Sequence, residues 1–152
     1  MPNTITPFLW FDGHLREAID FYTSVFADSE VLNSSTGPDG ELFLVTFRLN
    51  GQQFMALNGG PEFKFTEAVS FYISCNNQAE VDDLWAKLTA DGGEESRCGW
   101  LKDRFGLWWQ VVPTALGELL GDPDPVRAGR VREAMLQMGK IDIAGLERAY
   151  RG

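Results

Sequence analysis

The sequence predicts an α+β fold in which a strand–helix–strands unit occurs twice, followed by a helical tail. Three observations carry that reading. Segments of period-two alternation are interleaved with two segments of helical period. Turn signals bound them: Asn50-Gly51, Gly59-Gly60-Pro61 and Asp91-Gly92-Gly93. The order of elements then repeats. Ile19-Asp20-Phe21-Tyr22 is answered by Asp82-Asp83-Leu84-Trp85, and the hairpin at Gly51 by one at Gly106, 55 residues further on.

Pro7 to Phe11 reads as the first strand. Leu15 to Phe26 reads as a helix, with Ala18, Ile19, Phe21, Tyr22, Val25 and Phe26 at helical spacing. Val31 to Ser35 is a candidate strand. Leu42 to Leu49 alternates well, Asn50-Gly51 turns the chain, and Phe54 to Asn58 returns. In the second half Val69 to Cys75 is a strand. Asn76 to Ala90 is a helix with Val81, Leu84, Trp85 and Leu88 on one face. The run from Cys98 to Pro113 reads as two strands around a tight Asp103-Arg104-Phe105-Gly106 turn placed at the surface. Alternation puts Trp108, Gln110 and Val112 on one face and Leu107, Trp109 and Val111 on the other. In the tail, Asp122-Pro123-Asp124-Pro125 is a helix-start signal. Val126 to Met138 reads as a helix, and Asp142 as the cap of a last short helix through Tyr150. The divisions are a module over residues 5–62, a second over 68–115 and a tail over 122–151, all approximate, within a single domain.

Composition excludes several classes. A net charge of −9 with no basic run argues against nucleic acid and against an anionic membrane surface. No apolar run approaches the roughly 20 residues that span a bilayer, and no charged leader precedes an apolar core. Cys75 and Cys98 lack metal-ligand spacing, so a cytoplasmic protein with reduced thiols is expected.

Candidate chemistry centres on the second hairpin. Gln110 is a single polar group amid bulky apolar neighbours, either a satisfied core amide or a recognition group. Trp10, Phe54, Trp100, Trp108 and Trp109 fall on strands, where they either fill a core or wall a ligand site. His14 is the single histidine and sits at a helix start. Cys98 is a candidate nucleophile, provided that Arg97 or Lys102 lies beside its sulfur. Glu17, Asp20, Glu80, Asp82 and Asp83 read as solvated helix faces.

Three segments, Ile5 to Gly13, Phe54 to Pro61 and Cys98 to Asp103, resemble the PhnB-like branch of the vicinal oxygen chelate superfamily, to which glyoxalase I, bleomycin-resistance proteins and extradiol dioxygenases belong. The tail phrases Ala134 to Met138 and Lys140 to Ile143 resemble it too. The resemblance implies paired βαβββ modules, usually as a dimer, around a small-molecule site. Branch members often carry the name demethylubiquinone methyltransferase, yet no glycine-rich loop follows a strand to cradle S-adenosylmethionine. Metal enzymes of the superfamily hold His or Glu at positions that align near Pro7, Met55 (or Leu57), Ser70 and Gln110. None of these is a His or a carboxylate, so no metal and no cofactor is expected.

The preferred reading is a homodimer that binds a small hydrophobic or aromatic molecule, with Gln110, Trp108, Trp100, Met55 and Ser70 as the ligand-binding residues. Two others stand beside it. One is an enzyme on a quinone-like or dicarbonyl substrate, methyltransferase-named or glyoxalase-like, with Cys98 as its candidate catalytic residue. The other is a scaffold whose cavity its own side chains fill.

Overall fold

In a computed structural model that describes residues 3–152, period-two patterning produces two four-stranded sheets. The chain falls into two compact units, Met1–Phe65 and Thr66–Gly152.

The first unit contains β1 (Phe8–Phe11), α1 (Leu15–Val25), β2 (Glu30–Thr36), β3 (Leu42–Leu49) and β4 (Gln52–Asn58). Its sheet has the order β1-β4-β3-β2, with β1 parallel to β4 and the other pairs antiparallel. Asn50 and Gly51 both have positive φ (48° and 83°), the conformation that a two-residue hairpin turn requires. Leu9, Phe11, Val45, Phe47, Phe54 and Ala56 are buried on one face. The other side of that core is Leu15, Ala18, Ile19 and Tyr22 of α1. Phe47 and Phe54, cross-strand partners, stack with ring centroids 5.5 Å apart. The candidate strand at Val31 is real and is an exposed edge.

The second unit repeats the pattern with β5 (Phe71–Cys75), α2 (Gln78–Thr89), β6 (Glu94–Glu95), β7 (Trp100–Lys102) and β8 (Trp108–Pro113), in the order β5-β8-β7-β6. Val81, Trp85 and Leu88 of α2 are buried over Leu101, Trp109 and Val111. Asn77 caps α2 by accepting from the Glu80 N–H at 2.9 Å, and Glu80 reaches back to the Asn76 N–H at 2.7 Å. The helix ends where Asp91 and Gly92 turn left-handed. At Gly93 a Cβ would lie 2.8 Å from the Thr89 backbone, so no side chain fits.

Three helices follow: α3 (Thr114–Leu120), α4 (Pro125–Leu136) and α5 (Ile143–Arg151). They enclose Val112, Leu116, Val131, Ile141 and Leu146, with Met135 and Met138 packed alongside. Val112 therefore serves the tail core rather than the face of Trp108 and Gln110. Asp142 stands at the N-cap of α5 but its side chain makes no cap bond. Instead Gln78 accepts from the Ile143 N–H at 2.8 Å and donates to the Ile141 carbonyl at 3.0 Å. Asp82 is not merely solvated: it holds Lys140 at 2.8 Å, and that contact keeps its carboxyl below the ordinary carboxylate value. Among the described residues no helix is long and apolar enough to cross a membrane.

Candidate functional site

Strand alternation on β8 divides its side chains between two environments. Trp109 and Val111 point under α2 and are buried; Trp108 and Gln110 lie on the opposite, open face and are half-buried. Register places Trp100 of β7 and Tyr72 of β5 on either side of Gln110. Ser70, just ahead of β5, completes the group: the Gln110 Nε2 donates to its Oγ at 3.0 Å. Gln110 is thus satisfied by a side chain, not by backbone. Ser70, Gln110, Trp100 and Trp108 are brought to one sheet face. Met55 lies in the other unit, half-buried on β4 opposite Phe8 and Thr46.

The same face carries one ion pair that sequence reading missed. Lys102 pairs with Glu94 at 3.3 Å and sits 6.0 Å from the centre of the Trp108 ring. Glu94 belongs to a two-residue strand of acidic residues, which no propensity signals. Tyr72 was readable in principle, lying two residues beyond Ser70 in a period-two run.

The Asp103-Arg104-Phe105-Gly106 turn differs from its expectation as a surface turn. Asp103 is 1% exposed. Its carboxylate accepts from the Phe105 N–H at 2.9 Å, the Leu107 N–H at 3.1 Å and the Trp109 Nε1 at 2.8 Å. A buried carboxylate is tolerated when donors converge on it, as these three do. The turn therefore fixes the Trp109 ring and, through the strand, the face of Gln110.

Cys98 precedes β7 instead of opening it, so strand alternation does not relate its sulfur to Lys102. Its φ is 57°, and its N–H donates to the Met138 carbonyl at 2.8 Å. The Lys102 ammonium is engaged by Glu94. Cys75 is buried, which pushes its thiol up to about 11, with the charge of Glu80 adding to the effect. His14 is exposed at the start of α1 and meets Glu17 at 3.2 Å.

In the first unit, Gly59-Gly60-Pro61 has a physical reason. A Cβ on Gly59 would lie 2.3 Å from the Trp10 ring, and the Trp10 Nε1 donates to the Gly60 carbonyl at 2.9 Å. The glycines let the chain lie flat on the indole.

The residues do not fit the divalent metal that the superfamily's enzymes use. The turn glycines Gly51 and Gly106 align Met55 with Gln110; their strand partners are Phe8 and Tyr72. Counting back two residues pairs Ser70 with Thr6, not with Pro7. Thr6, Met55, Ser70 and Gln110 offer two hydroxyls, a thioether and an amide, a neutral and weak set for a hard cation. Among the described residues no three His, Cys, Asp or Glu side chains converge to hold an ion.

Comparison with known proteins follows this geometry. The model of the family described as 3-demethylubiquinone-9 3-methyltransferase matches residues 3–112. The chain is similar to a Bacillus cereus PhnB protein carrying the same description, at 34% identity and a TM-score of 0.68, covering 73% of this chain and 99% of that one. Protein PA1353 of Pseudomonas aeruginosa aligns at 20% identity and a TM-score of 0.61, over 74% and 98% of the two chains. The fosfomycin resistance protein FosX of Listeria monocytogenes, in complex with Mn(II) and sulfate, aligns at 18% identity and a TM-score of 0.51, over 72% and 90%. These last two share the fold. No curated protein matches the chain. The helices α3–α5 lie beyond the family match, which ends at Val112. The repeated βαβββ unit and the extent of the match together place this chain in the 3-demethylubiquinone-9 3-methyltransferase family, the PhnB-like branch of the vicinal oxygen chelate superfamily.

Proposed function

We propose that the protein binds a small hydrophobic or aromatic molecule on the open face of its second sheet, without the divalent metal of its catalytic relatives. The observation that carries this reading is the Gln110–Ser70 hydrogen bond, 3.0 Å long, set among Trp100, Trp108 and Tyr72. Aromatic walls with few, placed polar groups suit a ring-bearing ligand. The same reading takes the protein as a homodimer; Phe8, Val31, Leu32 and Phe43 of the first unit are exposed and would gain from a partner.

A second reading is favoured by the family description, which names methyl transfer. It makes the protein an enzyme on a quinone-like or dicarbonyl substrate. The strand-to-helix turns do not fit S-adenosylmethionine. The Gly13 N–H is taken by the Asn58 side chain at 2.8 Å, and the turn before α2 is closed by Asn77 and Glu80. Cys98 is the candidate nucleophile of that reading.

Thermal unfolding against divalent metals and a panel of aromatic, quinone and dicarbonyl compounds tests the choice. A saturable rise in Tm with an organic compound and none with metal is expected. A rise with metal alone would overturn the proposal and return a metal-dependent reaction to first place.

A further inference from the structure

The open face of the second sheet is closed in its charge. It presents Ser70, Tyr72, Ser74, Trp100, Lys102, Trp108 and Gln110, with Glu94 at its edge strand. Lys102 is its one cation and Glu94 its one anion, and they pair with each other at 3.3 Å. The Lys102 ammonium also stands over the Trp108 ring, where an incoming cation would otherwise find its best contact. The polar groups left over are neutral. Gln110 donates one N–H to Ser70; its second N–H, its amide oxygen and the Ser70 hydroxyl proton have no partner among the described residues. They set one acceptor beside two donors in an aromatic surround.

From this we infer that the face selects an uncharged ring bearing a hydrogen-bond donor next to an acceptor, and disfavours the same ring with a charge of either sign. The inference rests on the reading that this face binds a small molecule, and adds its chemical class. An anion set against the tryptophans loses water and meets no free cation, while the chain as a whole carries −9. A cation meets no free carboxylate, and at the Trp108 ring it must displace Lys102 and leave Lys102 or Glu94 without its partner. A neutral amide or lactam loses less on desolvation and can meet the open acceptor and an open donor of the Ser70–Gln110 pair together.

Benzamide, benzoate and benzamidinium have nearly the same shape and differ in charge, so they test this directly. Each is titrated into the full chain while the indole N–H signals of Trp100 and Trp108, assigned by Trp→Phe variants, are followed by NMR. Benzamide is expected to bind about ten-fold tighter than either ion and to shift those two signals. Gln110→Leu should erase the preference for benzamide. Lys102→Met, which leaves Glu94 unpaired, should swing the preference to benzamidinium. Equal or tighter binding of an ion by the native chain overturns the charge selection and leaves the binding reading intact. An unchanged preference in Lys102→Met also overturns it. If none of the three binds and the indole signals stay fixed, both the inference and the binding reading for this face fail.

Discussion

The Trp109 indole donates its N–H to the Asp103 carboxylate at 2.8 Å, across the turn that joins β7 to β8. Both groups are buried. Asp103→Ala removes three hydrogen bonds at once, taking the carboxylate from an indole and two backbone amides. A loss on the order of 3 kcal/mol is expected. Urea unfolding followed by tryptophan fluorescence measures it. A loss below about 0.5 kcal/mol would mean that water replaces the carboxylate without cost.

Gly59→Ala drives a methyl group into the Trp10 ring, where 2.3 Å is available. The indole must move and give up its bond to the Gly60 carbonyl. A destabilisation of about 1–3 kcal/mol is expected, together with a red-shifted Trp10 emission. Trp10→Phe in the same background tests the cause, since a smaller ring should recover part of the loss.

The tail is held by carboxylates that titrate in acid. The Tyr150 hydroxyl donates to Asp122 at 2.6 Å and, with the Asp124 N–H, holds its carboxyl below the ordinary value of 3.8. Asp82 is lowered by Lys140 and Gln78. For a depressed carboxylate, the stabilisation is present above the unfolded value and disappears as the pH falls through the folded one. Hydrogen-exchange protection factors in α4 and α5, taken relative to the intrinsic rate at each pH, should therefore fall below about pH 4. Tyr150→Phe should weaken that acid dependence at α4. Protection factors flat from pH 6 to pH 2 would contradict these pairings.

The two cysteines should differ in reactivity. With its pKa near 11, Cys75 is about one-thousandth thiolate at pH 8, and it is buried as well. Iodoacetamide on the native protein should modify Cys98 alone, and a second group should appear in denaturant. Rapid labelling of Cys75 would show that the β5 end of the sheet opens.

Ile141→Ala cuts into a residue fully enclosed by the tail core. A cost of about 2–5 kcal/mol is expected, with the largest rise in hydrogen exchange at the Cys98 and Gly99 amides. Uniform exchange throughout the second unit would show instead that the tail and its sheet unfold as one body.

The sequence pattern carried the βαβββ repeat because its strands and helices each bury one face. Leu42–Leu49 alternates, and α1 places Leu15, Ala18, Ile19 and Tyr22 inward at helical spacing. It did not carry β6, a pair of glutamates whose place is set by Leu101 and Lys102 opposite and by the Trp85 indole, which donates to Glu95 at 2.5 Å. It did not carry α3, a short helix with Gly117 in its middle that follows β8 without a loop. At the site, Ser70 and Gln110 were legible from strand parity and from the repeat. The Lys102–Glu94 pair was not, since it needs β6. Asp103 was misread because an Asp in a turn looks the same whether its carboxylate meets water or an indole.

The bonds from the Cys98 and Gly99 amides to the Met138 and Gly139 carbonyls, each 2.8 Å, bear on the order in which the molecule is made. Translation delivers the β7–β8 hairpin before the residues that close its leading turn. A nascent chain that has just passed Pro113 therefore holds a sheet with two open amides and an unroofed Val112. That turn is closed only when α4 and residues 137–139 have emerged. Premature stop codons downstream of β8 would accordingly yield polypeptides cleared by proteolysis, even though every residue of the family match is already in place.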